Sequence, residues 1–320
     1  MLPTSHWTQA TSSICSVGTP TGFRALPCGV TLGLPSVPGN VSSAATWGQN
    51  CTTWALRSSH SRDCNMAGIQ TETALVVDVW SDYAHFRKPY TTSSPLTFAF
   101  PPRTALAGLV AAFAGLGKGE YLEHFTRDRA RLAVALRTGN TGVGKTRIPE
   151  NFIDTKSSGS YRMNKIRNRT QINLEVVYAP RYRIFIQHME PAVMAILREN
   201  LSRHETVYTP YLGISEFIAG FAFVGEFVCR QLDDVTEPVP LASVIPLECI
   251  HTESVIFEAG ESGSNEYLRE RVPGEMKPER ITTSYDEVLY ERHGHPVHAI
   301  PKAGMAATVD LPDPVTIVWL

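Results

Sequence analysis

The chain lacks any apolar run long enough to cross a bilayer: its longest purely apolar and glycine stretch, Ala105 to Gly117, holds about a dozen residues, and a spanning helix needs roughly twenty. It lacks the basic n-region and apolar h-region of a signal peptide. It has no excess of positive charge, with 29 Lys and Arg against 31 Asp and Glu, which excludes a globally basic nucleic-acid binder. No fixed-period repeat is visible, so a solenoid is excluded. Beyond residue 65 cysteine is nearly absent; Cys229 and Cys249 alone remain, which rules out a disulfide framework there and fits buried thiols in a reducing cytoplasm. With 43% hydrophobic and 19% charged residues over 320 positions, the remainder is ordinary for a globular protein with a sizeable core.

Residues 1–65 differ in kind. They hold nineteen Ser or Thr, four of the six cysteines, no lysine, three arginines and one acid, without helical or alternating periodicity. Met66 opens a conventional strand-first sequence, so the expectation is that Met66 is the true start and 1–65 a leader or a disordered tail. The competing reading is a small domain stapled by Cys15, Cys28, Cys51 and Cys64, which no aliphatic core accompanies.

From Leu75 the pattern becomes regular. Leu75 to Trp80 is rich in β-branched residues and reads as a strand. After Pro101-Pro102 comes a small-residue helix, Ala105 to Leu116, with Leu106, Leu109, Val110 and Phe113 on one face. Thr104 is its expected N-cap and Gly117 its C-terminal glycine. Leu132 to Leu136, Ile172 to Tyr178, Tyr182 to Ile186 and Phe221 to Val228 read as strands. A helix from Pro191 to His204 is expected to turn Val193, Ile196 and Leu197 inward and Arg198, Glu199 and Arg203 outward. The order is β-α-β, insertion, β-β-α-β, which predicts an α+β fold with a ferredoxin-like, RRM-like core. The expected division is a ferredoxin-like RNA-binding domain over 66–230, with a basic hairpin or loop inserted at about 143–170, and a small β-rich part over 231–320.

Charge is distributed unevenly. From Lys145 to Arg183 there are nine basic residues against three acids, whereas 231–290 holds four basic against thirteen acidic. The first stretch can follow a phosphate backbone; the second would repel one and suggests a protein-facing surface. At the exit of the first strand, Asp82-Tyr83-Ala84-His85-Phe86-Arg87-Lys88 combines rings, an imidazole and two cations, as a single-stranded RNA site would. The bland alternative buries Tyr83 and Phe86 and leaves Arg87 and Lys88 solvated. A third reading makes His85 and Tyr83 the acid/base pair of a metal-independent ribonuclease. Tyr208-Thr209-Pro210-Tyr211-Leu212-Gly213 is a two-ring turn in which Gly213 permits close approach of a nucleotide. Gly139 to Thr146 matches the phosphate-loop spacing GxxxxGK[ST]. That chemistry needs a helix starting at Lys145, and Arg147 to Gly159 lacks helical periodicity, so a phosphate-loop NTPase is disfavoured against a flexible basic loop. His293-Gly294-His295-Pro296-Val297-His298 has a metal-binding composition, but no cysteine or carboxylate at ligand spacing is recognised beside it; a solvated loop is expected and no metal or other cofactor.

The ordered set VxDVWSDYAHFRK, SPLTFAFPPRTALAGLVAA, RTQINLE at Arg169 to Glu175 and YTPYLGISEF at Tyr208 to Phe217 resembles the type I-B branch of the fifth CRISPR-associated (Cas) protein family, in the RAMP superfamily. The resemblance covers Met66 to about Gly225. It implies a cytoplasmic, non-catalytic subunit of Cascade, the antiviral surveillance complex, that binds the 5′ handle of the guide RNA (crRNA). A separate ribonuclease would cut the guide precursor. A repeated backbone subunit and a large subunit would be its neighbours, with target DNA reached only through the complex. Joined to the residue reading, it designates Tyr83, His85, Phe86, Arg87, Lys88, Lys145, Arg147, Lys156, Arg162, Lys165, Arg167, Arg169, Gln171, Tyr211 and Gly213 as RNA-binding.

Overall fold

A computed structural model describes residues 73–91, 95–139, 142–153, 169–259 and 265–320. The expectation for 1–65 therefore lies outside the described residues, as do Lys156, Arg162, Lys165 and Arg167.

The chain begins with β1 (Thr73–Trp80), two short strands β2 (Tyr83–Ala84) and β3 (Phe86–Arg87), and β4 (Thr97–Phe98). Helix α1 (Arg103–Ala114) and one turn of helix, α2 (Tyr121–His124), lead to β5 (Ala130–Leu136). A long hairpin follows, β6 (Gly144–Ile153) and β7 (Arg169–Tyr178), then β8 (Arg181–His188), α3 (Pro191–Ser202) and β9 (Gly220–Leu232). The remaining strands are β10 (Val239–Leu241), β11 (Ile245–Pro246), β12 (Ile250–Ile256), β13 (Tyr267–Met276), β14 (Thr282–Glu291), β15 (Val297–Pro301), β16 (Ala306–Val309) and β17 (Val315–Val318).

Nine of these form one curled sheet in the order β12-β15-β10-β17-β16-β9-β1-β8-β5. At one end β9, β1, β8 and β5 pair antiparallel with their neighbours, and β1 and β5 run parallel to each other on either side of β8. The connections β1-α1-β5 and β8-α3-β9 lay both helices on the same face. There Leu75, Val77, Leu132, Ile184 and Ile186 pack with Leu106, Val110, Phe113 and Leu197. On the opposite face Ala74, Val76, Ala133, Ala135 and Phe185 pack with Val309, Leu311, Ile317 and Trp319. The position near 230, where the sequence suggested a boundary, lies within β9, whose end pairs with β16. Of the strands after it, β10, β12, β15, β16 and β17 continue the same sheet, while β11, β14 and β13 form a separate three-stranded sheet; Val272, Val288 and Tyr290 of the latter share the helix-side core.

Both long helices follow their apolar stripes, with local departures. Helix α1 buries Leu106, Leu109, Val110 and Phe113 as expected, but starts two residues earlier: Pro102 is the N-cap, with no side-chain cap, and Thr104 is inside the helix. It stops at Gly115, the first glycine free to take a positive φ (+79°), whose N–H donates to the Ala111 carbonyl; Gly117 lies beyond. The earlier start makes Arg103 a core residue. Its Nε donates to the Leu320 carbonyl at 3.0 Å, Nη1 to Phe125 at 2.9 Å and Nη2 to Ala130 at 2.9 Å. Burial pulls its pKa down to about 10. In α3 the buried stripe is Val193, Met194, Leu197 and Leu201, while Ile196 sits 45% exposed on the flank, so Met194 takes the inward place expected of Ile196.

Candidate nucleic-acid interface

The exit of β1 does not run free. Tyr83 and Ala84 pair with Tyr178 and Val177 of β7, and Phe86 and Arg87 pair with Phe98 and Thr97 of β4. Between them the His85 N–H donates to the Leu212 carbonyl at 3.1 Å, which ties the strand exit to the Tyr208 to Gly213 turn. Gly213 makes that contact possible: with φ at +96°, a Cβ there would stand 1.9 Å from the His85 carbonyl oxygen. The expected close approach of Gly213 is therefore to the protein's own backbone. Tyr208 N–H donates in turn to Ala112 of α1 at 3.2 Å.

These ties enclose a groove of about 980 Å³. One wall is α1, where Thr104, Ala105, Gly108 and Ala112 contribute little bulk, so the helix's small residues open space here. The facing walls are His85 and Arg87, then Tyr208, Tyr211 and Gly213, then Met276 and Arg280 from the β13–β14 hairpin, with Leu174 and Glu150 from the long hairpin. Two motifs more than a hundred residues apart in sequence thus meet at one cleft. Tyr211 is 48% exposed there and Arg87 is exposed, its Nη2 donating to the Thr91 carbonyl at 3.2 Å.

Several designated residues serve other ends. The Phe86 ring is buried at 4% exposure, 6.3 Å from the Tyr182 ring, so it is a core ring and offers no free face for stacking. His85 is equally buried and Nδ1–H donates to the Glu175 carbonyl at 2.7 Å; burial lowers its pKa and holds it neutral. Tyr83 is half-buried between Tyr178 and Phe217, with ring centroids 6.0 and 5.8 Å away. Lys88, expected on the surface, pairs with Glu270 at 3.1 Å and lies over the Phe98 ring at 5.2 Å. Lys145 sits in β6 opposite Val177, and Nζ donates to the Thr97 carbonyl at 2.8 Å. No helix starts at Lys145, so the phosphate-loop spacing has no phosphate-loop geometry.

The alternation of the long hairpin divides its residues. Lys145, Arg147 and Gln171 occupy the odd-numbered face, with Arg147 opposite Glu175, while Glu150 and Leu174 occupy the even-numbered face that lines the groove. The described hairpin cations therefore flank the groove instead of lining it. Arg169 is described only through its backbone, as the register partner of Ile153. The groove takes its positive charge from Arg87, Lys118 and Arg280. Lys118 and Arg280 were missed, Arg280 because it lies in the acidic stretch; the signal was Lys277-Pro278-Glu279-Arg280, a turn sequence, in which Arg280 has φ +62°.

The acidic stretch is largely consumed by internal pairs. Glu248 meets Arg127 at 3.1 Å, Glu266 meets Arg292 at 2.9 Å, Asp286 pairs with Arg127 and Glu287 with Arg269. The histidine run is a turn built on a carboxylate that sequence reading passed over: buried Glu291 accepts the backbone N–H of His293 at 2.8 Å and of His295 at 2.9 Å, and the His293 ring at 2.9 Å.

The family model described as CRISPR-associated protein (Cas_Cas5) matches residues 74–288, about two-thirds of the chain. Among solved structures, a chain of a "CRISPR RNA-guided surveillance complex" is 11% identical with TM-score 0.41, covering 71% of this chain and 91% of that one. A "Cas protein" crystal structure is 12% identical with TM-score 0.32, over 72% of this chain and 95% of that one. A chain of the Type III-B Cmr-beta complex bound to cognate target RNA and AMPPnP is 10% identical with TM-score 0.36, over 71% and 86%. No curated protein matches. The matched residues run from β1 into β14 and contain every wall of the groove, and on that sequence match the chain belongs to the CRISPR-associated Cas5 family.

Proposed function

We propose that this protein is a non-catalytic crRNA-binding subunit of a type I-B Cascade, and that the groove between the β1 exit, α1 and the Tyr208 to Gly213 turn receives the repeat-derived 5′ end of the guide. The observation that carries this reading is the convergence of the two sequence motifs on one cleft with an exposed ring, Tyr211, and the cations Arg87, Lys118 and Arg280. Stacking on a ring and cations against phosphates are what a splayed single strand requires. The order β9-β1-β8-β5 with both crossing helices on one face supports a ferredoxin-like core. The long hairpin, flanking the groove with Arg147, supplies the adjoining phosphate contacts. A backbone subunit and a large subunit are the proposed neighbours, and target DNA is met through the complex in the cytoplasm.

A non-catalytic role fits His85, which is buried, neutral and committed to a backbone carbonyl, better than an acid/base pair with Tyr83 does. The test is RNA carrying the repeat-derived 5′ end, titrated against salt. Arg162, Lys165, Arg167 and Arg169 changed together to Gln should lower the salt slope by about 2.8, at about 0.7 per single-strand phosphate contact. Tyr211→Ala should weaken binding roughly 5- to 140-fold with the slope kept. Wild-type affinity and slope in both variants would place the RNA elsewhere.

A further inference from the structure

The face of the four-strand unit that carries no helices holds a second feature. Its strands alternate regularly: Leu136, Tyr182 and Val79 point into the helix-side core, so Arg137, Arg181 and Trp80 point the other way. Register places these three in one row. Trp80 pairs with Arg181 across β1 and β8, and the Arg137 N–H donates to the Arg181 carbonyl at 2.9 Å. The row ends on Gly220 of β9, the partner of Trp80 on its other side. At Gly220 a Cβ would come within 2.7 Å of the indole Nε1, so the ring is laid against bare backbone. Its other side is open, the residue being 37% exposed.

The charges around this ring are uneven. In the next row the only acid, Asp78, is taken by Arg183, with Nε and Nη2 each donating to a carboxylate oxygen at 2.7 Å. Arg137 and Arg181 are exposed, and no side-chain partner is described for either among the described residues. Two free guanidiniums beside a preset indole, spaced by the strand separation of about 5 Å, suit a flat base with phosphates on its flank. An acidic peptide would use the cations and leave the open indole face without a planar partner.

We propose that Trp80, Arg181 and Arg137 form a second binding site for single-stranded nucleic acid, on the sheet face opposite the guide groove. The base stacks on Trp80 and the phosphates meet the two arginines, without base-edge readout. This does not rest on the groove's assignment.

The test uses the full chain and a fluorescent oligouridine of about twelve nucleotides, within the usual site size of such surfaces, beside the matching oligothymidine. Binding is measured with protein otherwise wild type and again with Tyr211→Ala protein. Trp80→Ala should weaken binding roughly 5- to 140-fold in both backgrounds, and Trp80→Phe should recover most of it. Arg137→Gln with Arg181→Gln should lower the salt slope by about 1.4. Equal losses for both oligonucleotides support recognition by stacking and phosphate alone; a loss confined to oligouridine supports the site with RNA as its source. The idea is overturned if Trp80→Phe and the double arginine variant, unfolding at the wild-type temperature, bind both probes like wild type with Trp80→Ala no weaker. It is equally overturned if these variants keep both probes and lose only association with another protein subunit. Failure here with Tyr211→Ala still impaired for the 5′ end leaves the groove reading intact.

Discussion

Replacing Gly213 by alanine adds one methyl group at the junction on which the groove depends. The new Cβ would stand 1.9 Å from the His85 carbonyl oxygen, against a closest tolerable approach near 3.0 Å, so one backbone must retreat by about 1 Å or more. Neither side retreats freely, because His85 is held by Glu175 and Leu212 and the turn by Ala112. Alanine at φ +96° carries strain of about 1–3 kcal/mol, and losing the His85–Leu212 hydrogen bond costs about 1 kcal/mol more. The expected destabilisation is about 2–4 kcal/mol in urea unfolding followed by circular dichroism. Gly119→Ala, where nothing lies within 4 Å, should change stability by less than about 0.5 kcal/mol. The folded fraction of Gly213→Ala should also bind the repeat-derived 5′ end more weakly, because the turn that carries Tyr211 is displaced. A Gly213→Ala protein as stable as the Gly119→Ala control, with wild-type RNA affinity, would refute the reasoning.

Three further outcomes follow from burial and hydrogen bonding. Phe86→Ala should lower unfolding stability by about 3–5 kcal/mol as a core deletion, so calorimetric melting should register it before any RNA assay does. Arg103→Met should cost about 3–5 kcal/mol in denaturant titration, since three buried carbonyls lose their donors; Arg103→Lys should recover part of it. Stability should rise with pH up to about 6.5, the ordinary histidine pKa. His85 and His188 both have pKa values lowered mainly by burial, so the unfolded chain binds more protons in the window below that value and folding is weakened there. His188 is fixed as neutral by its partners, with Nε2–H donating to His124 at 2.8 Å and Nδ1 accepting from Glu190 N–H at 3.0 Å. His85→Asn should flatten the pH dependence of the urea midpoint below about 6.5.

Much of the architecture was legible locally. Strand and helix order, the hairpin insertion and the buried face of α1 follow from periodicities that an element carries within itself, and the ordered motifs sufficed for the family. Cap positions shifted by two residues because several Pro, Thr and Gly residues near 102–117 can each end a helix, and only packing chooses among them. What the sequence left open was which side of each strand meets which neighbour. Tyr83 and Phe86 look alike beside Arg87, yet pairing with β4 sends Phe86 into the core while Arg87 reaches the groove. Lys145 and Glu150 lie in one basic run, yet alternation puts them on opposite faces of the hairpin. Arg280 belongs to an acidic stretch whose carboxylates are mostly paired elsewhere, and the β13–β14 hairpin brings it to the groove wall. The sequence by itself determined the elements and their order, because propensity and periodicity act over a few neighbouring residues. The tertiary structure alone decided which side chains share the groove and which share the opposite sheet face, because strand register joins residues a hundred positions apart and shifting it by one reverses every face.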